Sequence, residues 1–357
     1  MLEQYDIRLC RGDEAAKLRV FIGEHWKPGH VLATSQELLD WQHLDAETGD
    51  YNFVVAEHRP TGEFHAVYGF IPVSHFDPAL KAYRDYWPAI WKVREDIEAP
   101  GLGMFVYYFL VKQRRPRSLF GFGMNPELAP LAKRISHRMG ALDHYYRVNE
   151  DLADFSLVNH FDGRYASPES ASEPRKALVR CDDGGLVHLA DQLTWRPTKL
   201  DVPVKSLTYL ENRYCRHPWY DYQVHAVESG GKFEALLVSR ICSHEERHAL
   251  RIVDYFGEIE SLAGCRDALR DLLAETGAEY VDFYNLGYDP GALVRAGFLL
   301  REPDSAIVIP NYYEPFVRRN ESLDYVIYTD VSKFRFVFVK GDTDQDRPNR
   351  LAEGIGP

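Results

Sequence analysis

"VREDIEAPGLGMFVYYFLV" spans Val93 to Val111. A charged run ends in Pro100-Gly101-Leu102-Gly103, and the eight residues Met104 to Val111 are all apolar or aromatic. Two physical demands place glycines at such a junction. A chain that leaves a strand and turns into a helix needs residues that accept positive φ and close packing. A helix N-terminus without side chains also exposes bare N–H groups, which can hold a phosphate. Both demands predict a strand ending near Val93, a tight turn, and a buried helix beginning at Met104.

The same alternation extends in both directions. Upstream, "YWPAIWKV" reads as a strand interrupted by Pro88, hence bent or at an edge, because proline cannot donate to a ladder. "YNFVVAEH" and "EFHAVYGFIPV" are strands joined by the turn Pro60-Thr61-Gly62-Glu63. "YDIRLC" alternates as a strand, "EAAKLRVFIGEHW" has helical spacing, and "SQELLDWQHL" is a short helix with Ser35 as its N-cap. Downstream, "SLFGFGMN" is a short strand, and "PELAPLAKRISHRMG" is a helix closed by Gly140. The polar, turn-rich "HFDGRYASPESASEP" then marks a boundary.

Beyond it the grammar repeats. "QVHAVES" and "KFEALLVSRI" flank Gly230-Gly231 as a hairpin, and "HALRIVDYFG" is a strand. "CRDALRDLLAETG" is an amphipathic helix ending at Gly277, "EYVDFYNLG" a strand, and "PGALVRAGF" a short helix and turn. Val93 and Val253 lie 160 residues apart, as do Asn125 and Asn285, and the spacing from Gly140 to Gly297 is 157. Landmarks at nearly one offset suggest an internal duplication. The expected class is α/β (α+β) with two domains, each a mixed central sheet flanked by helices. The expected limits are 1–160, a linker at 161–176, a second domain at 177–340 and a polar tail at 341–357.

This order resembles the GNAT (GCN5-related N-acetyltransferase) superfamily: a strand carrying valine, a Gly-x-Gly turn into a helix, a strand ending in Asn, and a helix before Gly-Phe. The family's signature is valine, then Gln or Arg at fixed spacing, then x-x-Gly-x-Gly/Ala. From Val93 the glycines fall at Gly101 and Gly103, while the Gln/Arg slot holds Glu98, whose charge repels a pyrophosphate. "AGF" (Ala296–Phe298) and "MGA" (Met139–Ala141) resemble the closing Gly-Phe. The resemblance implies that acetyl-CoA, or else another acyl-CoA, binds the first half as co-substrate. Val93, Gly101, Leu102, Gly103 and Met104 would hold it, with Asn125 near its pantetheine end. In the second half Ser261 replaces the first glycine and no Gly-x-Gly follows, so that copy is expected to have lost the coenzyme and to supply acceptor-side walls.

Acyl transfer to an amine needs a base. In the loop that the resemblance puts on the acceptor side, "GEHWKPGHVLATS", His25 and Trp26 are candidate substrate contacts and His30 a candidate base; His75 in "IPVSHFDP" is the other. The acid tyrosine that the family carries on the helix after Asn125 is missing. The second half groups aromatics with carboxylates and amides, the combination that stacks on sugar faces and bonds hydroxyls. These groups supply His217 and Tyr220 from "HPWYDY", Asp282 and Tyr284 around Phe283 in "VDFYN", and Tyr313 from "NYYEPF". Asp346, Arg347 and Asn349 come from "KGDTDQDRPN". That last loop has EF-hand-like carboxylate spacing, but Arg347 stands at the glycine position and a strand precedes it, so no metal is expected.

A net charge of −12 argues against a nucleic-acid groove, which needs clustered cations. The one basic cluster, Lys112 to Arg117, best fits the negative end of the preceding helix. Five scattered cysteines without a C-x-x-C pair, a polar N-terminal stretch and no apolar run long enough for a bilayer fit a cytoplasmic protein with free thiols. The function expected is N-acylation of a nucleotide-linked amino sugar. The tandem halves and the "HW-x-x-GH" and "GD-x-DQDRPN" motifs resemble bacterial surface-polysaccharide N-acyltransferases. The alternatives are an aminoacyl-tRNA-dependent ligase of the peptidoglycan-bridge type, which the acidic charge disfavours, and a non-catalytic ligand-binding protein.

Overall fold

The computed structural model describes residues 2–123, 129–161, 173–181, 185–343, 346 and 348. The chain begins with β1 (Tyr5–Cys10), α1 (Ala15–Phe21), α2 (Val31–Thr34), α3 (Gln36–His43), β2 (Tyr51–His58) and β3 (Glu63–Pro72). It continues through β4 (Asp85–Val93), α4 (Leu102–Arg114), β5 (Ser118–Phe122), α5 (Ala129–Ile135), β6 (Arg138–Ala141) and β7 (Asp143–Val148). After β8 (Ala177–Arg180), β9 (Asp201–Val202) and α6 (Leu207–Leu210) come β10 (Tyr222–Ser229), β11 (Lys232–His244) and β12 (Arg247–Phe256). Then follow α7 (Glu260–Ala263), α8 (Arg266–Thr276), β13 (Tyr280–Leu286), α9 (Pro290–Arg295) and β14 (Leu299–Leu300). Short strands close the chain: β15 (Tyr312–Tyr313), β16 (Phe316–Val317), β17 (Asp324–Ile327), β18 (Arg335–Phe336) and β19 (Phe338–Val339).

Local chemistry accounts for many of these limits. Ser35 caps α3 by accepting from the Leu38 N–H at 3.2 Å, as its position predicts. Gly277 ends α8 with φ of 64°, a left-handed conformation that glycine adopts without penalty. Gly140, expected at a helix end, lies instead within β6, because α5 has already stopped at Ile135.

The two sheets repeat one order. The first runs β1-β2-β3-β4-β5-β17-β6 and the second, read the same way, β8-β10-β11-β12-β13-β7-β14, with β19 also bonded to β13. Position by position, β4 corresponds to β12 and β5 to β13. The next place in each sheet is taken by a strand from the other half of the sequence. The chain accordingly divides into a unit of Met1–Arg138, Val326–Val331 and Thr343–Pro357 and a unit of Met139–Tyr325 and Ser332–Asp342. This corrects the boundary expected at 161–176: β7 pairs in the second sheet, Tyr145 opposite Phe283 and Tyr146 opposite Asp282.

In the first unit α4 buries Leu102, Val106, Tyr107 and Leu110 against Val54, Ala56, Ala66, Tyr68, Phe70 and Leu119 of the sheet. Each such aliphatic side chain removed from water stabilises the fold by roughly 1.5–3 kcal/mol before entropy is counted. β4 and β5 are parallel, yet they share only two ladder pairs, Asp85 with Ser118 and Tyr86 with Leu119. A carboxylate clamps this end: Asp85 accepts from Arg117 Nε at 2.9 Å and from Ser118 Oγ at 2.8 Å. Beyond it Pro88 has no N–H to continue the ladder, and its ring lies against Gly121 of β5, where a Cβ would come within 3.0 Å of Pro88 Cγ. The proline acts as a wedge, and the two strands part into a V.

Candidate functional site

The V of the first unit opens into a cavity of about 540 Å³. Pro88, Ala89, Trp91, Lys92 and Val93 line it from β4, and Gly121, Phe122 and Gly123 from β5 and its end. Gly101, Gly103 and Met104 come from the start of α4, Leu131 from α5, Val326 and Tyr328 from β17 and beyond, and Trp26 and Glu95 from loops. The turn explains its two glycines differently. Gly101 has φ of 82°, the left-handed region that favours glycine. Gly103 packs on β4, where a Cβ would lie 3.1 Å from Val93 Cγ2 and 3.3 Å from the Trp91 indole nitrogen. That indole N–H donates to the Gly103 carbonyl at 3.1 Å and ties the turn to the strand.

The steric demand is therefore real, and it leaves the chemical one intact. Leu102 and Met104 N–H groups bond back to the Ala99 and Gly101 carbonyls at 3.1 and 2.9 Å. Those of Gly101 and Gly103 donate to nothing among the described residues. They stand at the positive end of the 13-residue α4, on the cavity wall. Glu98, the residue at odds with the family slot, is exposed and lies outside the cavity lining. Glu95 does line it, with its charge held by Lys92. The basic run from Lys112 lies at the opposite end of α4, where Lys112 and Arg114 occupy the last turn and Arg117 is consumed by Asp85.

Of the expected coenzyme contacts, the structure brings Val93, Gly101, Gly103 and Met104 together on this cavity, with Leu102 in the same turn but buried in the core. Asn125 lies outside the described residues. Trp26 also joins the cavity, whereas the His25 ring lies tilted against Phe21, with centroids 5.1 Å apart. Neither expected base faces it. His30 is buried and caps α2, its Nδ1 accepting from the Leu32 N–H at 3.2 Å. His75 Nε2 bonds the Trp41 carbonyl at 2.7 Å. Sequence reasoning missed Tyr328, whose ring lies 5.8 Å from that of Tyr107. Its hydroxyl takes no hydrogen bond among the described residues, and burial pushes its pKa well above the usual phenol value.

The matching V of the second unit is closed by the chain itself. β12 and β13 share three parallel pairs, Leu250 to Ile252 against Val281 to Phe283, and then part. β19 enters the gap: Val339 pairs with Asn285 and Phe338 with Leu286, while the Gly341 N–H donates to the Val253 carbonyl at 2.9 Å. Gly341 is required there, since a Cβ would meet the Tyr214 hydroxyl at 2.2 Å. Lys205 pins the insert, its Nζ 2.7 Å from both Asp254 and Asp342 carboxylates, and Tyr214 donates to Asp254 at 2.8 Å. The register also corrects the alignment of valines. Val253 follows directly on the last paired residue of β12, whereas Val93 lies at the far end of β4.

The polar–aromatic groups divide. Asp282 and Tyr284 belong to a buried network: Arg251 donates to Asp282 at 3.0 and 2.9 Å, His144 Nε2 lies 3.3 Å from Asp282, and Tyr284 stacks on His144 at 3.9 Å. Burial lowers the His144 pKa to about 4, against the pull of Asp282. Tyr220 instead lines a polar cavity of about 560 Å³ with Arg180, Glu211, Arg216, Asp221 and Gln223. His217 braces it, accepting from the Tyr220 N–H at 2.9 Å and stacking on its ring. Tyr313 lines a smaller neighbouring cavity of about 200 Å³ and bonds Tyr280 at 2.7 Å. Asp346 is buried, and Arg347 and Asn349 lie outside the described residues.

No protein-family model matches the chain, and no curated protein matches it. Solved structures do. A GCN5-related N-acetyltransferase from Anabaena variabilis is similar over 92% of this chain and 74% of its own, with 9% identity and a TM-score of 0.54. A conserved protein from Enterococcus faecalis described as a probable N-acyltransferase is similar over 90% of this chain and 71% of its own, with 10% identity and a TM-score of 0.53. The mixed α/β fold is thus that of the GCN5-related N-acetyltransferases.

Proposed function

We propose that the chain is an N-acyltransferase that takes acyl-CoA into the V of its first unit and passes the acyl group directly to an amine. The observation that carries this reading is the parting of β4 and β5 with the Gly101–Gly103 turn at the mouth. Beyond Tyr86 the β5-facing edge of β4 has no ladder partner, so an extended arm with amide groups can bond there as an added strand. The free N–H groups of Gly101 and Gly103 suit the pyrophosphate that ends such an arm. The likeness to an N-acetyltransferase and to a probable N-acyltransferase supports the same class.

The chemistry follows from what lines the cavity. A neutral amine attacks the thioester carbonyl, the C–N bond forms, and the tetrahedral intermediate expels the CoA thiolate. That thiolate needs a proton. Among the described lining residues Tyr328 is the half-buried side chain able to give one; Lys92 and Glu95 neutralise each other near the mouth. The amine's surplus proton leaves through that open mouth to water. A cysteine intermediate has no support: Cys10, Cys242 and Cys265 are buried, burial pushes the Cys10 and Cys265 thiols up to about 12, and no cysteine lines this cavity.

For the acceptor, the reading is an amine on a nucleotide-linked sugar. The polar cavity around Tyr220, Asp221 and Gln223 offers rings and hydroxyl partners of the kind sugars need. The second V takes no coenzyme, because Phe338 to Gly341 fill it. Calorimetric titration with CoA tests the reading: one site per chain is expected, and Gly103→Trp should abolish it. Two sites, or none, would overturn it. Mass spectrometry of UDP-linked 2-, 3- and 4-amino sugars incubated with acyl-CoA then tests the acceptor; mass gain on none of them removes that part alone.

A further inference from the structure

We infer that the acyl group carried into the first V is a saturated chain of several methylenes rather than acetyl; this rests on the coenzyme reading above and deepens it. The cavity has two chemically distinct ends. The mouth holds Gly101, Gly103, Lys92 and Glu95, with its free N–H groups and charge. The crotch, where β4 and β5 part, is walled by Pro88, Ala89, Phe122, Leu131 and Val326, with Tyr328 as the one hydroxyl among the described lining residues. Small residues at 89, 121 and 123 keep side chains out of that space, and Pro88 brings no N–H into it. A sugar would find Tyr328 as the side-chain partner for its hydroxyls there and would lose hydrogen bonds to water. An acetyl group brings a single methyl to these walls, whereas an alkyl chain covers them.

The second unit supplies an independent argument. In its sheet the place two and three residues beyond the last ladder pair of β13 is filled by Val339 and Phe338, both fully buried. Two and three residues beyond the last pair of β5 come Gly121 and Phe122, the crotch of the open cavity. At these two places the second V is closed by apolar filling, carried on a strand whose main chain bonds β13. In one unit the chain provides it; in the other, the geometry assigns that task to the acyl chain of the substrate.

The test is binding of CoA and of acetyl-, butyryl-, hexanoyl- and octanoyl-CoA, read by quenching of Trp26 and Trp91, which both line the cavity. Burying one methylene is worth roughly 0.8 kcal/mol, or about four-fold in Kd, so affinity should climb by about that factor per methylene from acetyl to hexanoyl. Leu131→Trp, which fills the crotch from α5, should flatten the series and weaken octanoyl-CoA far more than acetyl-CoA. A flat series in the wild-type protein with CoA itself bound overturns the chain-length inference and leaves the coenzyme reading standing. Failure of CoA to bind at all overturns both.

Discussion

Tyr328 gives the sharpest test of the proposed chemistry because its hydroxyl has no hydrogen bond to lose among the described residues. In Tyr328→Phe, turnover should fall by about 10²–10⁴, the usual cost of removing a general acid, while acyl-CoA affinity changes little. Steady-state kinetics beside calorimetry separate the two; equal losses in both would make the residue a binding contact only. His30→Asn should behave oppositely, lowering the melting temperature and sparing turnover, since its imidazole caps α2. A third residue links pH to stability. Burial raises Asp342 to about 7, although Lys205 opposes the shift. Between the ordinary carboxylate range and about pH 7 the folded protein therefore binds a proton that the unfolded chain does not, and stability falls as pH rises through that window. Melting curves from pH 5 to 8 should show this decline, and Asp342→Asn should flatten it. At this scale the sequence revealed Gly101 and Gly103, because backbone demands are local. It could not reveal Tyr328, whose neighbours in the cavity, Val326 apart, lie far away along the chain. The histidines misled because a loop imidazole beside a helix start serves a cap as well as a base.

Among the elements, the V depends on β4, and β4 depends on Pro88. Pro88→Ile restores an N–H and a β-branched side chain suited to a strand. The ladder with β5 should then extend, the cavity narrow, and acyl-CoA affinity fall by an order of magnitude or more without loss of melting temperature. Unchanged affinity would show that the wedge is not what holds the strands apart. The insert of the second unit invites the converse test. Phe338→Ala, at a fully buried site, should cost about 3–5 kcal/mol in denaturant unfolding, yet leave one coenzyme site per chain. The bent β4, the hairpins and α8 were legible because periodicity and turn residues report on adjacent positions. The insert was not, for "FRFVFV" reads as any buried strand, and nothing in those six residues names the cleft it fills.

At the scale of the molecule, an offset near 160 suggested a repeat, but its valine landmark does not hold in the register of β4 and β12, and the partition was not legible. Composition marks a boundary in the polar stretch after His160, whereas the fold divides at Arg138 and Met139 and again near residues 326, 332 and 343. Exchange of β7 and β17 leaves no local trace, since each remains an ordinary strand wherever it pairs. No helix among the described residues is long and apolar enough to cross a membrane. The exchange also dictates the outcome of truncation. A fragment of residues 1–160 lacks Val326 to Val331, and with them the strand beside Leu119 and the Tyr328 hydroxyl. It should fail to bind CoA even where circular dichroism shows folded structure; a fragment that binds as tightly as the whole chain would contradict this assignment.

The loan of β17 has a temporal side. A ribosome delivers residues from the amino end, and domains ordinarily fold in that order as they emerge. Here the unit that begins first can be completed only after Val326 to Val331 have left the exit tunnel, long after β5 itself has emerged. Until then β5 waits with a bare edge and the cavity lacks a wall. A coenzyme site of the kind proposed would be assembled only then, so a message cut short before Val326 should yield a protein that fails to hold acyl-CoA.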